Sequence, residues 1–215
     1  QLQEAIQAYE QATVINPNMF QALNNWGNAL SAVAQQKADA GAPEWQQAFE
    51  KYQQSLAIKP DRHEALNNWG NALSTVAELK ADASAPEWQQ AVEKYQQALA
   101  IKPDKHEALS NWGLLLFNLA QLKADANAPE WQQAFEKYQQ ALAIKPDKHE
   151  ALSNWGVALS KLAELKSDAS TMEWQQAFEK YQQALAIKPD KHEALLNWGN
   201  ALSNLAELRS DAGAP

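Results

Sequence analysis

Residues 61–103 read DRHEALNNWGNALSTVAELKADASAPEWQQAVEKYQQALAIKP, and with small changes this stretch is written along the whole chain. Trp26, Trp69, Trp112, Trp155 and Trp198 recur every 43 residues, as do Trp45, Trp88, Trp131 and Trp174, and 215 residues make five whole periods. A fixed period in this range marks an array of stacked supersecondary units. Such an array offers an extended surface and two ends, and it seldom builds one enclosed catalytic pocket.

Each unit divides into two helices. Ile58-Lys59-Pro60 closes the preceding helix, because the residue before a proline is pushed out of the helical region. Asp61 and Glu64 then stand at the spacing of a capping box, repeated at Asp104/Glu107, Asp147/Glu150 and Asp190/Glu193, with Asn18/Gln21 as a weaker copy. Leu66, Trp69, Leu73, Val76 and Leu79 follow at intervals of three and four, the stripe of an amphipathic helix A that should run to about Asp82. Ser84 and Glu87 form the second capping-box pair, with Pro86 in the first turn, where its missing N–H costs little. Trp88, Ala91, Val92, Tyr95, Ala98, Leu99 and Ile101 give helix B a single apolar face that ends before Pro103. No segment has the alternating period of a strand.

A glycine follows the tryptophan of every helix A: Gly27, Gly70, Gly113, Gly156 and Gly199. A mid-helix glycine costs about 1 kcal/mol relative to alanine. Five of them predict a helix crossing closely at that point, with Ala91 and Ala98 as the thin places on helix B.

Composition narrows the function. The formal net charge is −8, and the 18 lysines and arginines are scattered, so no basic run could follow a phosphate backbone. Nucleic acid and membranes are therefore not expected partners, and a helical repeat that reads RNA would need a basic groove. No cysteine is present, which removes disulfides and thiolate chemistry. No apolar run approaches the roughly 20 residues of a membrane span, and no signal peptide opens the chain. A cytoplasmic setting is the expectation, and the initial Gln1 reads as the start of a piece taken from a longer array.

The residue pattern resembles the tetratricopeptide repeat, whose signature runs W-x2-L-G-x2-Y…A-x3-F…A…P. Leu66 stands in the place of its tryptophan, Trp69 its leucine, Gly70 its glycine and Leu73 its tyrosine. Ala91, Tyr95, Ala98 and Pro103 take the helix-B alanine, aromatic, second alanine and closing proline. The likeness recurs in every unit, with nine extra residues between Leu73 and Trp88 that lengthen helix A and its loop. It implies an all-α fold, a right-handed α-solenoid of about ten antiparallel helices. The expected layout is one repeat solenoid over 1–215. It comprises an orphan helix B at 2–16, repeats at about 18–60, 61–103, 104–146 and 147–189, and an orphan helix A at 190–211.

Members of that family mostly hold partner peptides on the concave face lined by helix A. Carried over by position, the candidate peptide-binding residues are Asn67, Asn68, Asn71, Ser110, Asn111, Leu114, Phe117, Ser153, Asn154, Val157, Leu196, Asn197 and Asn200. The column Asn25, Asn68, Asn111, Asn154 and Asn197 reads either as a ladder for a peptide backbone or as interhelical polar positions. Leu114, Phe117 and Val157 break the polar pattern, which reads either as an apolar patch or as drift between near-identical repeats. Lys161 is the only cation among the inward positions, so a carboxylate clamp is not expected.

Other columns carry no chemistry. His63, His106, His149 and His192 form one rung per unit, too widely spaced for a metal, and read as solvated first-turn residues. The nine tryptophans lie on apolar stripes and read as core rather than as stacking platforms. No nucleophile–base pair or phosphate loop occurs, so no enzyme, no cofactor and no metal are expected.

Register makes the two ends complementary. Leu2, Ile6 and Tyr9 of the first helix and Trp198, Leu202 and Leu205 of the last stay on their apolar stripes. Head-to-tail stacking is therefore expected, and heterologous contacts build open filaments unless the rotation closes. The favoured reading is a non-catalytic scaffold that binds a protein or peptide. A self-associating superhelical array, or an engineered consensus-like repeat protein without a natural partner, stand as alternatives.

Overall fold

The computed structural model describes residues 1–212, which form ten helices and, among the described residues, no strand. They are α1 (Leu2–Ile15), α2 (Phe20–Lys37), α3 (Pro43–Ile58), α4 (His63–Lys80), α5 (Pro86–Ile101), α6 (His106–Lys123), α7 (Pro129–Ile144), α8 (His149–Lys166), α9 (Met172–Ile187) and α10 (His192–Ala212). Even-numbered helices are of type A and odd-numbered ones of type B. The architecture is an all-α solenoid of tetratricopeptide type. The chain falls into two compact units, one of Gln1–Ala108 and a second beginning at Leu109.

The helix boundaries correct the capping boxes. α4 starts one residue later than Asp61 would place it, with Arg62 at the N-cap and no side-chain cap bond. Glu64 instead sits 3.3 Å from Arg62 Nε and 3.4 Å from His63 Nε2. At the second start, Ser84 turns backwards: its N–H and hydroxyl both donate to Asp82 Oδ1, at 2.8 and 2.7 Å. Bonds to a carboxylate are stronger than a neutral serine cap, so Asp82 organises the loop and Ala85 becomes the N-cap. Glu87, free of Ser84, accepts from Lys80 Nζ at 2.7 Å, a pair repeated at Lys37/Glu44, Lys123/Glu130 and Lys166/Glu173. Helix A also ends earlier than Asp82, at Lys80, because Ala81 takes a left-handed conformation with φ 50°.

Two clusters hold the units. In the first, Leu30, Ala34, Trp45, Ala48, Tyr52 and Val76 are buried against one another. In the second, Leu159, Ala163, Trp174, Ala177, Tyr181 and Leu205 play those parts. Trp45, Trp88 and Trp131 also lock the loop, each donating its indole N–H to the carbonyl of Asp39, Asp82 and Asp125. Where Met172 replaces the helix-B proline, this bond is lost, and Trp174 Nε1 is buried without a partner.

The tryptophans are not all core. Trp45, Trp88, Trp131 and Trp174 are, but Trp26, Trp69, Trp112, Trp155 and Trp198 are only half-buried. Four of these rings are covered by a lysine of the following helix B, with ammonium-to-centroid distances of 3.8 Å for Lys51/Trp26 and 4.1 Å for Lys180/Trp155. This places a cation on the π-face, with the lysine's aliphatic stem over apolar surface.

The helix-A glycines have a cause different from alanine thin spots. A Cβ on Gly70 would stand 2.8 Å from Tyr95 Cε1, and the same ring-on-backbone contact joins Gly27 to Tyr52, Gly113 to Tyr138 and Gly156 to Tyr181. The tyrosine of helix B, and not its alanines, demands the glycine.

Candidate functional site

α2 and α4 of the first unit lie side by side and leave a polar cavity of about 180 Å³ between them. Asn28, Ser31 and Gln35 line it from α2, and Asn68, Asn71 and Thr75 from α4, above the inner edge of Trp45 and Tyr52. Three of the amides around this cavity are held by separate hydrogen bonds. Tyr52 Oη donates to Asn28 Oδ1 at 2.8 Å and lies 3.3 Å from Ser31 Oγ. Tyr95 Oη donates to Asn71 Oδ1 at 2.8 Å. Asn68 Nδ2 reaches across the two helices to Asn24 Oδ1 at 3.3 Å. Burial pushes the Tyr52 hydroxyl up to about 12, against the pull of Ser31, so it stays protonated and acts as a donor.

In the second unit the same register is less polar. Leu114 and Val157 stand where Asn28 and Asn71 stand in the first, and Phe117 where Ser31 and Ser74 stand. Leu114 is exposed and Val157 half-buried. Phe117 is not part of a surface patch: it is buried, with its ring centroid 6.0 Å from that of Trp131. Tyr138, fully buried beside it, has lost both partners, and no protein group hydrogen-bonds its hydroxyl. Tyr181 keeps one, Ser160 Oγ at 3.2 Å.

Not every sequence candidate reaches the surface. Asn67, Ser110 and Ser153 are buried, whereas Asn68, Asn71, Asn111, Asn154 and Asn197 are half-buried and Leu196 and Asn200 exposed. At the ends, Leu2, Ile6, Tyr9 and Trp198 are half-buried and Leu202 is exposed, but Leu205 is buried in the second core cluster. Leu205 therefore packs its own unit and is not an end-face residue. Three of the four histidines are less solvated than their first-turn position implied, while His192 is exposed: the His63 and His149 side chains are each 16 % exposed, with Nδ1 buried and unpartnered. Among the described residues no group of three His, Cys, Asp or Glu could hold a metal ion, and no described helix is long and apolar enough to cross a membrane.

The sequence reading missed a second kind of notch, on the helix-B side. Between α7 and α9 a cavity of about 580 Å³ is lined by Leu142, Pro146, Leu152, Trp155, Lys180 and Ile187, among others. Its counterpart of about 440 Å³ in the first unit is lined by Thr13, Pro17, Leu23, Lys51 and Ile58. The signal was present in the column Ile58, Ile101, Ile144 and Ile187, 37–40 % exposed at the last turn of each helix B.

These features define a helix–turn–helix repeat protein of the tetratricopeptide class, with a polar groove between successive A helices of its first unit. The chain belongs to the family described as plant specific mitochondrial import receptor subunit TOM20, which matches residues 2–107, 102–171 and 150–214. No curated protein sequence matches it. Among solved structures, one of MamA superposes with a TM-score of 0.60 at 21 % identity, covering 89 % of this chain and 91 % of that one. A second MamA structure gives 0.56 at 21 % identity over 89 % and 85 %. YrrB, described as a TPR protein with an unusual peptide-binding site, gives 0.39 at 18 % identity over 88 % and 97 %.

Proposed function

We propose that the chain is a non-catalytic scaffold that holds extended segments of partner protein in the grooves between A helices within each of its two units. The α2/α4 cavity carries this reading. Its amides present both donors and acceptors, the chemistry that a peptide backbone needs at every residue. In the second unit, Leu114 and Val157 replace two of those amides with apolar groups, which would take side chains rather than backbone. Thus the polar groove accounts for affinity to peptide in general, and the apolar replacements for a preference among sequences. The family description, a mitochondrial import receptor subunit, supports a protein cargo and adds the mitochondrial surface to the cytoplasm as a candidate setting.

The test is selection of extended peptides from a phage-displayed random library on the wild-type chain, followed by titration of the winners. Asn28→Ala/Asn71→Ala should weaken all of them. Leu114→Lys/Val157→Lys should weaken only those carrying a particular apolar residue. Peptides that bind both double variants as tightly as wild type would show that the helix-A grooves are not the binding surface.

A further inference from the structure

The notch between α7 and α9 joins an apolar wall to a single cation that has no counter-ion. Leu142, Pro146, Leu152 and Ile187 supply the wall, and Gln139 and Gln183 stand exposed at its edge. Lys180 is the one charged residue of the lining, and no carboxylate belongs to it. Its ammonium lies 4.1 Å from the centre of the Trp155 ring and makes no ion pair among the described residues, whereas Lys161 and Lys166 pair with Glu164 and Glu173. Desolvation holds this amine below the usual lysine range, against the distant pull of Glu179. The notch of the first unit is built the same way. Pro17, Leu23, Lys51, Gln54 and Ile58 are the register equivalents of Pro146, Leu152, Lys180, Gln183 and Ile187. Lys51 is again the one charge, 3.8 Å from the centre of the Trp26 ring.

A partly dehydrated cation without a partner gains most from an anion delivered together with apolar groups that exclude water. A fully apolar ligand would leave the ammonium unpaired, and a small anion alone would leave the wall wet. The exposed amides of Gln139 and Gln183 add donors and acceptors. A peptide backbone uses both, and a lipid chain uses neither. We propose that the α7/α9 notch, like its counterpart in the first unit, docks an extended partner segment carrying a large apolar residue and an acidic residue two positions apart. Side chains at that spacing face the same way on an extended backbone. The apolar one seats against Leu142, Pro146, Leu152 and Ile187, and the carboxylate takes the Lys180 ammonium. This surface is separate from the helix-A reading, because the notch and the α2/α4 cavity share no residue.

The test is a lysine footprint on the full chain, using acylation by N-hydroxysuccinimide acetate read residue by residue in the mass spectrometer. The probe is the peptide acetyl-Gly-Glu-Ser-Leu-Ser-Glu-Gly-amide. It should shield Lys180 and Lys51, while Lys37 and Lys166, which pair with Glu44 and Glu173, label as before. With glutamine in place of both glutamates, half-protection should need about tenfold more peptide or beyond, the loss expected for a bond to a charged group. Serine in place of the leucine should abolish protection. Ile187→Ser, at a position 39 % exposed, should unshield Lys180 and leave Lys51 shielded, with helicity unchanged by circular dichroism. Lys180 labelling that the peptide does not slow would overturn the proposal, as would equal protection by the glutamate and glutamine peptides or no effect of Ile187→Ser. Dodecanoate shielding Lys180 where the peptide does not would overturn it too, and assign the notch to a fatty carboxylate.

Discussion

Four equivalent tyrosines with four different hydroxyl environments make a built-in mutational series. Tyr52 has Asn28 and Ser31, Tyr95 has Asn71, Tyr181 has Ser160, and Tyr138 has no protein partner. All four rings are nearly inaccessible, at 0–1 % exposure, so the transfer of the ring is similar in each and the hydroxyl environment is the main difference among them. Replacing Tyr95 by phenylalanine removes a 2.8 Å bond and takes a donor from Asn71, for an expected loss of about 1–2 kcal/mol. Replacing Tyr138 removes a buried hydroxyl that no protein group hydrogen-bonds, so the change should be neutral or stabilising by up to about 1 kcal/mol. With an m-value of about 3 kcal/mol/M in urea, a separation of roughly 2 kcal/mol between the two variants is about 0.7 M in midpoint. Urea unfolding followed by circular dichroism, with m unchanged across the series, reads it directly. If Tyr138→Phe lowered the midpoint as much as Tyr95→Phe, the claim that Leu114 and Phe117 orphaned that hydroxyl would be wrong.

Two further outcomes follow from the backbone and from a buried imidazole. Ala81 and Ser167 end their helices at φ 50° and 52°. An L-residue pays about 1–2 kcal/mol in that region, while glycine loses about 0.5–1 kcal/mol more chain entropy on folding. Ala81→Gly should therefore gain about 0.5–1 kcal/mol, measured as a rise of about 2 °C in Tm; a fall would show that the left-handed cap is not strained. Burial pushes the His63 imidazole below its ordinary 6.5, and Lys105, Lys102 and Arg62 add to that against the pull of Glu64. A histidine depressed in the folded state takes up its proton more readily when unfolded, so its stabilising contribution is present above 6.5 and is lost as pH falls. The urea midpoint should drop between about pH 7 and about pH 5, and His63→Gln should flatten that part of the curve. An equal slope in the variant would assign the acid sensitivity to other groups.

Periodicity alone settled the class of fold, because a 43-residue repeat with two apolar stripes leaves a stacked array of helix pairs as the way to bury both. The helix termini were legible to within a few residues from Pro60, Pro103 and the loop between Lys80 and Pro86. What holds those termini was not: Asp82 outcompetes a neutral cap for Ser84, and Lys80 takes Glu87, contests that depend on loop geometry rather than on spacing in the sequence. The glycine column was visible as a demand for close approach, yet only the tertiary structure named the tyrosine ring that makes it. Burial of Phe117 and Leu205, both read as surface from register, came from neighbours distant in sequence: Trp131 beside one, the second core cluster around the other. One-dimensional period decides which face a residue occupies on its own helix. Whether that face meets solvent, a lysine-capped indole or a tyrosine from the next helix is decided by what stacks against it.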